Sequence, residues 1–326
     1  MPEEVPFDLR GLEVFLAVCD AGGMSAAARL LGLTQPAVSQ AIGELETRSG
    51  ATLFDRGVRP LSLTAAGLIL RQRASALLAE ARQIAPLLRQ THDGRLTLVR
   101  VGLVDSLSRA VTDTLAGHLA RVAEQASFFS GLTAAHTSAL LTRQIDVFLG
   151  ADEAAEVEGV ERWPLFDDPY ILLCPATMTP PTDLAELAAL AGHMPLIRFS
   201  ARSRTGREIE QHLRRLRIEF PRFQEYDLPY GLTTAVASGQ GFAISTPLCL
   251  FESAVPAGRV RAARLPGPAL ARRLTLIARR KELGRLPREL AATARAALAG
   301  QAVPFLRAEM PWLGTRLGVV ADETPE

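Results

Sequence analysis

The side chains best suited to do chemistry in this sequence lie in two runs. The first is Thr34-Gln35-Pro36, continued by Ser39 and Gln40. A glutamine amide donates and accepts at once, so Gln35 and Gln40 can each hold a base edge. The hydroxyls of Thr34 and Ser39 can bond bases or phosphates. Alternatively, Thr34 only caps a helix and Gln40 only faces water. The second run is Arg198-Phe199-Ser200-Ala201-Arg202-Ser203-Arg204, three arginines alternating with small polar residues. Guanidinium forks match carboxylates and phosphates, so this run suits a small organic anion. The competing view is a solvated loop whose arginines pair with acids such as Glu208 and Glu210.

Other chemistry has less support. His136 and His193 lack metal-ligand spacing, and neither a metal nor a cofactor is expected. The sequence holds no Gly-x-Ser-x-Gly elbow, phosphate loop or His-Glu-x-x-His, so it does not read as an enzyme. Cys19, Cys174 and Cys249 are odd in number, far apart and outside any Cys-x-x-Cys pair, which suits free thiols in a reducing cytoplasm. Cys174 falls in an apolar strand, where inert burial is the better reading.

The chain has 326 residues, enough for about two domains, each with its own core. At 48% hydrophobic residues it is too apolar to be disordered over most of its length. No stretch nears the roughly 20 apolar residues that span a bilayer. Met1-Pro2-Glu3-Glu4 is acidic where a signal peptide is basic. A net charge of +1 argues against a nucleic-acid coat protein, but not against a small basic head on a neutral body. From Arg29 to Arg89 the basic residues are all arginine and outnumber the acids. That balance suits phosphate binding, and equally a solvated helix face.

Leu9, Leu12, Phe15, Leu16 and Cys19 recur at helical spacing, predicting a helix over 8–20 with Asp8 as N-cap and Gly22-Gly23 as its stop. Ser25 is expected to cap a short helix over 26–31 that Gly32 closes. Thr34 caps a third helix with Pro36 in its first turn, a buried stripe of Val38, Ile42 and Leu45, and Gly50 at its end. Two short helices around a glycine turn form a helix-turn-helix, whose second helix can enter a major groove N-terminus first. Residues 51–56 and 57–64 then predict two strands around a turn, a wing anchored by Leu53, Phe54 and Leu63. Arg59 at its tip is suited to a minor groove.

The run from Leu9 to Ala74 resembles the LysR-type transcriptional regulators of bacteria. The matching pieces are Leu12-Glu13-Val14-Phe15, Ser25-Ala26-Ala27-Ala28, Thr34-Gln35-Pro36-Ala37-Val38-Ser39-Gln40-Ala41-Ile42, Leu45-Glu46, Leu53-Phe54-Asp55-Arg56 and Leu63-Thr64-Ala65-Ala66-Gly67. Two positions depart from the pattern. Gly23 stands where serine is usual. Gly43 stands where a basic residue is usual, which removes a phosphate contact and costs about 1 kcal/mol of helix propensity. The resemblance implies a sequence-specific regulator in the bacterial cytoplasm. Arg10, Thr34, Gln35, Pro36, Ser39, Gln40, Arg56 and Arg59 would face double-stranded operator DNA, with RNA polymerase as a further contact.

A long helix is expected from Thr64, with Leu70, Ala74, Leu77, Ala81, Ile84 and Leu88 at alternating steps of four and three, as in a coiled-coil seam. The other reading is a helix packed on its own domain. The family pairs two such helices antiparallel, so the resemblance implies a homodimer or homotetramer joined here. Pro86 is expected to kink or end the helix, and Thr91-His92-Asp93-Gly94 reads as a hinge.

Beyond Arg95, strands expected at 96–104, 146–150, 170–174, 195–198, 241–245 and 273–278 alternate with helices at 107–123, 133–143, 205–216, 232–238 and 287–298. That is an α/β pattern with mainly parallel sheets. The likeness here is looser and rests on Gln144-Ile145-Asp146-Val147 and Val236-Ala237-Ser238-Gly239-Gln240-Gly241-Phe242-Ala243. It implies two lobes like a periplasmic binding protein, strands crossing near 170–174 and 273–278, and a small-molecule effector in the cleft. Such folds meet ligands at strand ends and helix N-termini. Asp105, Ser106, Ser108, Ser130, Thr133, Tyr230 and Thr246 therefore join Arg198, Ser200 and Arg202 as candidates for an anionic effector. Phe305, Leu306, Trp312 and Leu313 suggest a tail packed on the body until its acidic end near Asp322.

The expected layout is a winged helix-turn-helix at 1–64, a linker helix at 65–90, a hinge at 91–94 and an effector-binding domain at 95–300. Lobe I takes 95–169 and 273–300, lobe II takes 175–270, and a tail follows at 301–326. A two-lobed α/β enzyme or a solute-binding protein is the alternative to an effector-modulated regulator.

Overall fold

A computed structural model describes residues 7–55, 57, 61–93, 95–152, 157–256 and 258–321, with the side chains of 83–93 outside that description. Two compact units divide just before Arg95.

The first unit opens with α1 (Leu9–Ala21), whose cap Asp8 accepts from the Gly11 amide at 2.6 Å and whose end is Gly22 in the left-handed region. α2 (Met24–Leu31) starts earlier than expected: its N-cap is Gly23, and Ser25 lies inside the first turn rather than capping it. α3 (Gln35–Ser49) is capped by Thr34, whose hydroxyl accepts from the Ala37 amide at 3.4 Å, and is closed by Gly50. β1 (Phe54–Asp55) and β2 (Ser62–Leu63) pair antiparallel, with Phe54 opposite Leu63. The wing tip, with Arg56 and Arg59, lies outside the described residues. Glu46 of α3 accepts from the amides of Leu53 at 2.8 Å and Phe54 at 3.3 Å, so one carboxylate fixes the wing to the helix.

α4 (Ala65–Asp93) starts where Thr64 accepts from the Gly67 amide at 3.1 Å and donates to the Thr52 carbonyl at 2.7 Å. A Cβ on Gly67 would stand 2.2 Å from the Leu53 carbonyl oxygen, so the backbones cross there only because the residue is glycine. The helix continues past Pro86 to Asp93. A proline removes one amide from the ladder, and the bonds on either side carry the helix on. Residues 91–93, expected in a hinge, are helical. Ala74 and Leu78 are buried in the same core as Phe15, Ile42 and Leu53, and Leu70 packs against it. The first turns of the expected seam therefore serve their own domain, and the inward position is Leu78 rather than the exposed Leu77.

The second unit carries, in order, β3 (Leu96–Val104), α5 (Asp105–Val122), β4 (Ala123–Gly131), α6 (Thr133–Leu141), β5 (Val147–Ala151), β6 (Val160–Pro169), β7 (Ile171–Pro175), α7 (Leu184–Ala189), β8 (Leu196–Phe199), α8 (Arg204–Leu216), β9 (Gln224–Tyr226), α9 (Pro229–Ala237), β10 (Phe242–Ser245), α10 (Pro247–Ser253), β11 (Val260–Arg264), β12 (Ala271–Arg279), α11 (Leu286–Ala297), α12 (Val303–Glu309) and β13 (Gly318–Val319). One sheet has the order β13-β6-β12-β5-β3-β4 and forms lobe I. The other has the order β11-β7-β10-β8-β9 and forms lobe II.

The sheets are mixed, not mainly parallel. β3 pairs parallel with β4 and β5, and β8 parallel with β9 and β10. β12 runs antiparallel to β5 and β6, and β7 antiparallel to β10 and β11. The antiparallel pairs come from chain that passes between lobes and returns, which local periodicity cannot reveal. The crossings fall at Tyr170, whose amide donates to the Leu270 carbonyl at 2.9 Å, and between Arg264 and Ala271. Arg273–Ala278, expected at a crossing, lies inside the lobe I sheet. The tail packs as expected: Leu306, Met310, Leu313 and Leu317 are buried, and β13 pairs with β6.

Candidate nucleic-acid interface and effector cleft

On the first unit, the N-terminal turn of α3 presents Gln35, Pro36 and Gln40 to solvent, with Ser39 half-buried beside them. Thr34 does cap the helix, so part of its hydroxyl's capacity is used locally. Gln40 donates to Glu44 at 2.8 Å, an intrahelical bond that a base edge would have to displace. Gly43 lies one turn beyond Ser39 and Gln40 on the same face. A Cβ built on it meets nothing within 4 Å. Arg10 is exposed and bonded to Glu13 at 3.2 Å.

In the second unit, a cleft opens between the lobes. Four helices start at its walls: α5 with Asp105 and Ser106, α6 with Thr133, α8 with Arg204 and Thr205, and α9 with Pro229. Helix starts carry partial positive charge and free amides, so their convergence favours a bound anion. At the floor, Arg272 is buried and forms an ion pair with the fully buried Asp168 at 2.8 Å. Its fork also donates to Ser106 at 2.9 Å, Thr205 at 2.9 Å and Thr246 at 3.0 Å, and approaches the Cys249 sulfur at 3.6 Å. One guanidinium thus ties the start of α5 in lobe I to the starts of α8 and α10 in lobe II. Burial pushes the Asp168 carboxyl up, against the pull of Arg272. Burial also raises the Cys249 thiol.

Several sequence candidates meet in this cleft. Asp105, Ser106 and Thr133 line it. Ser130 donates to Asp105 and lies 3.5 Å from Ser108. Thr246 is fully buried as the cap of α10 and reaches the site through Arg272. Others do not join. Arg198 is buried and donates to Glu210 at 2.7 Å and to the carbonyls of Phe220 at 2.9 Å and Pro221 at 3.2 Å. It alternates with Phe199, which lines the cleft, so strand geometry turns it to the other face. Arg202 is exposed and pairs with Asp227 at 3.1 Å, and Ser200 donates to the same carboxylate. Tyr230 is 64% exposed and outside the lining. Of the arginine run only Arg204 faces the cleft, held by Glu208 at 2.7 Å and by the Asp152 carbonyl.

Residues 9–68 match the family described as bacterial regulatory helix-turn-helix protein, lysR family, and residues 92–299 match the LysR substrate binding domain. The chain belongs to the LysR family. A probable hydrogen peroxide-inducible genes activator of Streptomyces viridosporus is 32% identical over 177 residues, 51% of this chain and 54% of that protein. The chain spans less than two thirds of the length of these curated relatives, 23% in one case and 61% in another. Among solved structures, full-length OxyR of Pseudomonas aeruginosa is similar in fold, with a TM-score of 0.62 and 20% identity over 88% of this chain and 97% of that one. Full-length CbnR complexed with its target DNA gives a TM-score of 0.64 and 20% identity over 89% of this chain and 100% of that one.

In this LysR member, sequence reasoning missed Asp168 and Arg272. A signal existed. Asp167-Asp168 and Arg272-Arg273 are opposite-charge dipeptides inside otherwise apolar runs, and the antiparallel register sets Asp168 against Arg272 and Asp167 against Arg273. Strand alternation then buries one pair and exposes the other.

Proposed function

We propose that the chain is a DNA-binding transcriptional regulator, not an enzyme, whose affinity for operator DNA is set by a small effector held in the cleft of its second unit. The observation that carries this is the capped α3 offering Gln35 and Gln40 on a self-contained, wing-braced head, joined to a cleft where four helices start. No single described helix is long and apolar enough to cross a membrane. The relative named for hydrogen peroxide does not transfer its signal here. Cys174 and Cys249 are buried, and burial pushes the Cys174 thiol up to about 11, away from the thiolate that peroxide attacks.

The regulator is proposed to act as a homodimer or homotetramer through α4. Leu68 and Ile69 (59% and 66% exposed) and Leu77 leave apolar surface along it. Leu77→Asp is expected to shift sedimentation to a smaller species. For the DNA-reading role, protection mapping of the DNA upstream of its own gene is expected to show a footprint. Gln35→Ala should lose roughly 1–3 kcal/mol of discrimination against random DNA. No footprint, or an unchanged preference in Gln35→Ala, would overturn the reading.

A further inference from the structure

We infer that the effector is a small zwitterion, an aminocarboxylate whose carboxylate meets the helix starts of lobe II and whose ammonium meets Asp105 of lobe I. This rests on the cleft being the effector site proposed above.

Among the described residues, the charges lining the cleft are matched within the protein, with one exception. Arg272 has Asp168, Arg204 has Glu208, and Asp227 has Arg202. Asp105 has only the Ser130 hydroxyl and forms no ion pair among the described residues. A second carboxylate, Glu252, stands near it and accepts from the Arg109 amide at 2.7 Å. Burial pushes the Glu252 carboxyl up and the charge of Asp105 adds to that, against the pull of the Arg109 amide and guanidinium. Arg109 does not relieve Asp105. Its guanidinium donates to the Phe251 carbonyl at 2.6 Å and lies 4.6 Å from the centre of the Phe251 ring. On the lobe I wall Asp105 is thus a carboxylate with no ion pair among the described residues.

The opposite wall carries a guanidinium, Arg204. Ser203 caps α8 by accepting from the Gly206 amide at 2.9 Å, and the first turn of that helix, Arg204 and Thr205, faces the cavity. A plain carboxylate would gain that wall but meet Asp105 across the cleft. A plain amine would gain Asp105 but meet Arg204 and the helix starts. A zwitterion satisfies both walls. Because its two groups bind different lobes, it also fixes the lobes to each other, which gives it a preference for one arrangement.

The test is calorimetry on the full chain with α-, β- and γ-aminocarboxylates, each beside its deaminated carboxylate and its decarboxylated amine. At least one zwitterion is expected to bind about tenfold or more tightly than both counterparts, the worth of one charge-assisted contact. Asp105→Asn should erase that preference, because it removes both the ammonium contact and the repulsion that penalises the plain carboxylate. A carboxylate or amine that binds the wild type as well as its zwitterion overturns the inference, as does a preference that survives in Asp105→Asn or a lack of any zwitterion binding. If Asp105→Asn does not fold, the wild-type comparison decides alone. Plain-anion binding with the footprint intact would sink the zwitterion and leave the regulator reading standing; loss of the footprint would sink the latter separately.

Discussion

Replacing Gly43 with arginine is expected to stabilise the head and tighten its grip on DNA at once. Gly43 is interior to α3, and its missing Cβ faces open space, so a side chain enters without displacing anything. Glycine in a helix interior costs about 1 kcal/mol against alanine, and arginine recovers most of that. The position also continues the Ser39–Gln40 face, where a guanidinium can reach a phosphate. Each phosphate contact steepens the dependence of log K on log salt by about 0.9. Two heads on one operator would therefore add about 1.8, or roughly a further twelvefold loss of affinity between 50 and 200 mM salt. Fluorescence anisotropy across a salt series reads the slope, and urea unfolding reads the stability. Gly43→Ala separates the two: it should gain stability and leave the slope alone. A Gly43→Arg slope equal to that of the parent would refute the reasoning, because it would mean that this turn of α3 does not face the backbone.

Arg272→Met should destabilise the second unit by about 3–5 kcal/mol by stranding the buried Asp168 charge, whereas replacing both residues with apolar ones should come closer to neutral; urea midpoints test the pair. Burial holds the His136 imidazole below its ordinary 6.5, so the unfolded chain binds a proton that the folded one resists. Its contribution is full above that value and is lost as pH falls below it, with His212 adding the same sign and the raised Glu252 the opposite. His136→Gln should lessen the loss of stability between neutral and mildly acid pH. The Cys19 and Cys174 thiols, each pushed up to about 11, should alkylate slowly in the folded chain, and peroxide should leave DNA binding unchanged.

The head was legible because its signals are local. Caps at Asp8 and Thr34 and left-handed glycines at 22, 32 and 50 are set by neighbours in sequence. The difference at Ser25 has the same scale: a hydroxyl near a helix start suggests a cap, and the cap lies two residues earlier at Gly23. Strands such as β3 were legible as apolar runs. Strand direction was not, because it depends on partners far away in the sequence. β4 was missed because it is an edge strand whose Ala-Glu-Gln-Ala-Ser stretch shows no strong alternation. In the cleft, residues at helix starts were found by rule, but the arginines were misassigned. Which face Arg198 takes is fixed by its alternation with Phe199, which lies one residue beyond the strand expected at 195–198.

The tail has a practical meaning for anyone shortening this chain. The family match ends at residue 299, yet β13 completes the lobe I sheet beside β6, and the Trp312 carbonyl accepts from Arg264 of lobe II at 3.1 Å. Cutting at the family boundary would leave β6 as a bare edge next to the apolar surface that Leu306, Met310 and Leu317 now cover. An open edge beside an apolar patch is a template for self-association. A domain trimmed to the family outline would accordingly be prone to precipitate for reasons unrelated to its ligand or its DNA.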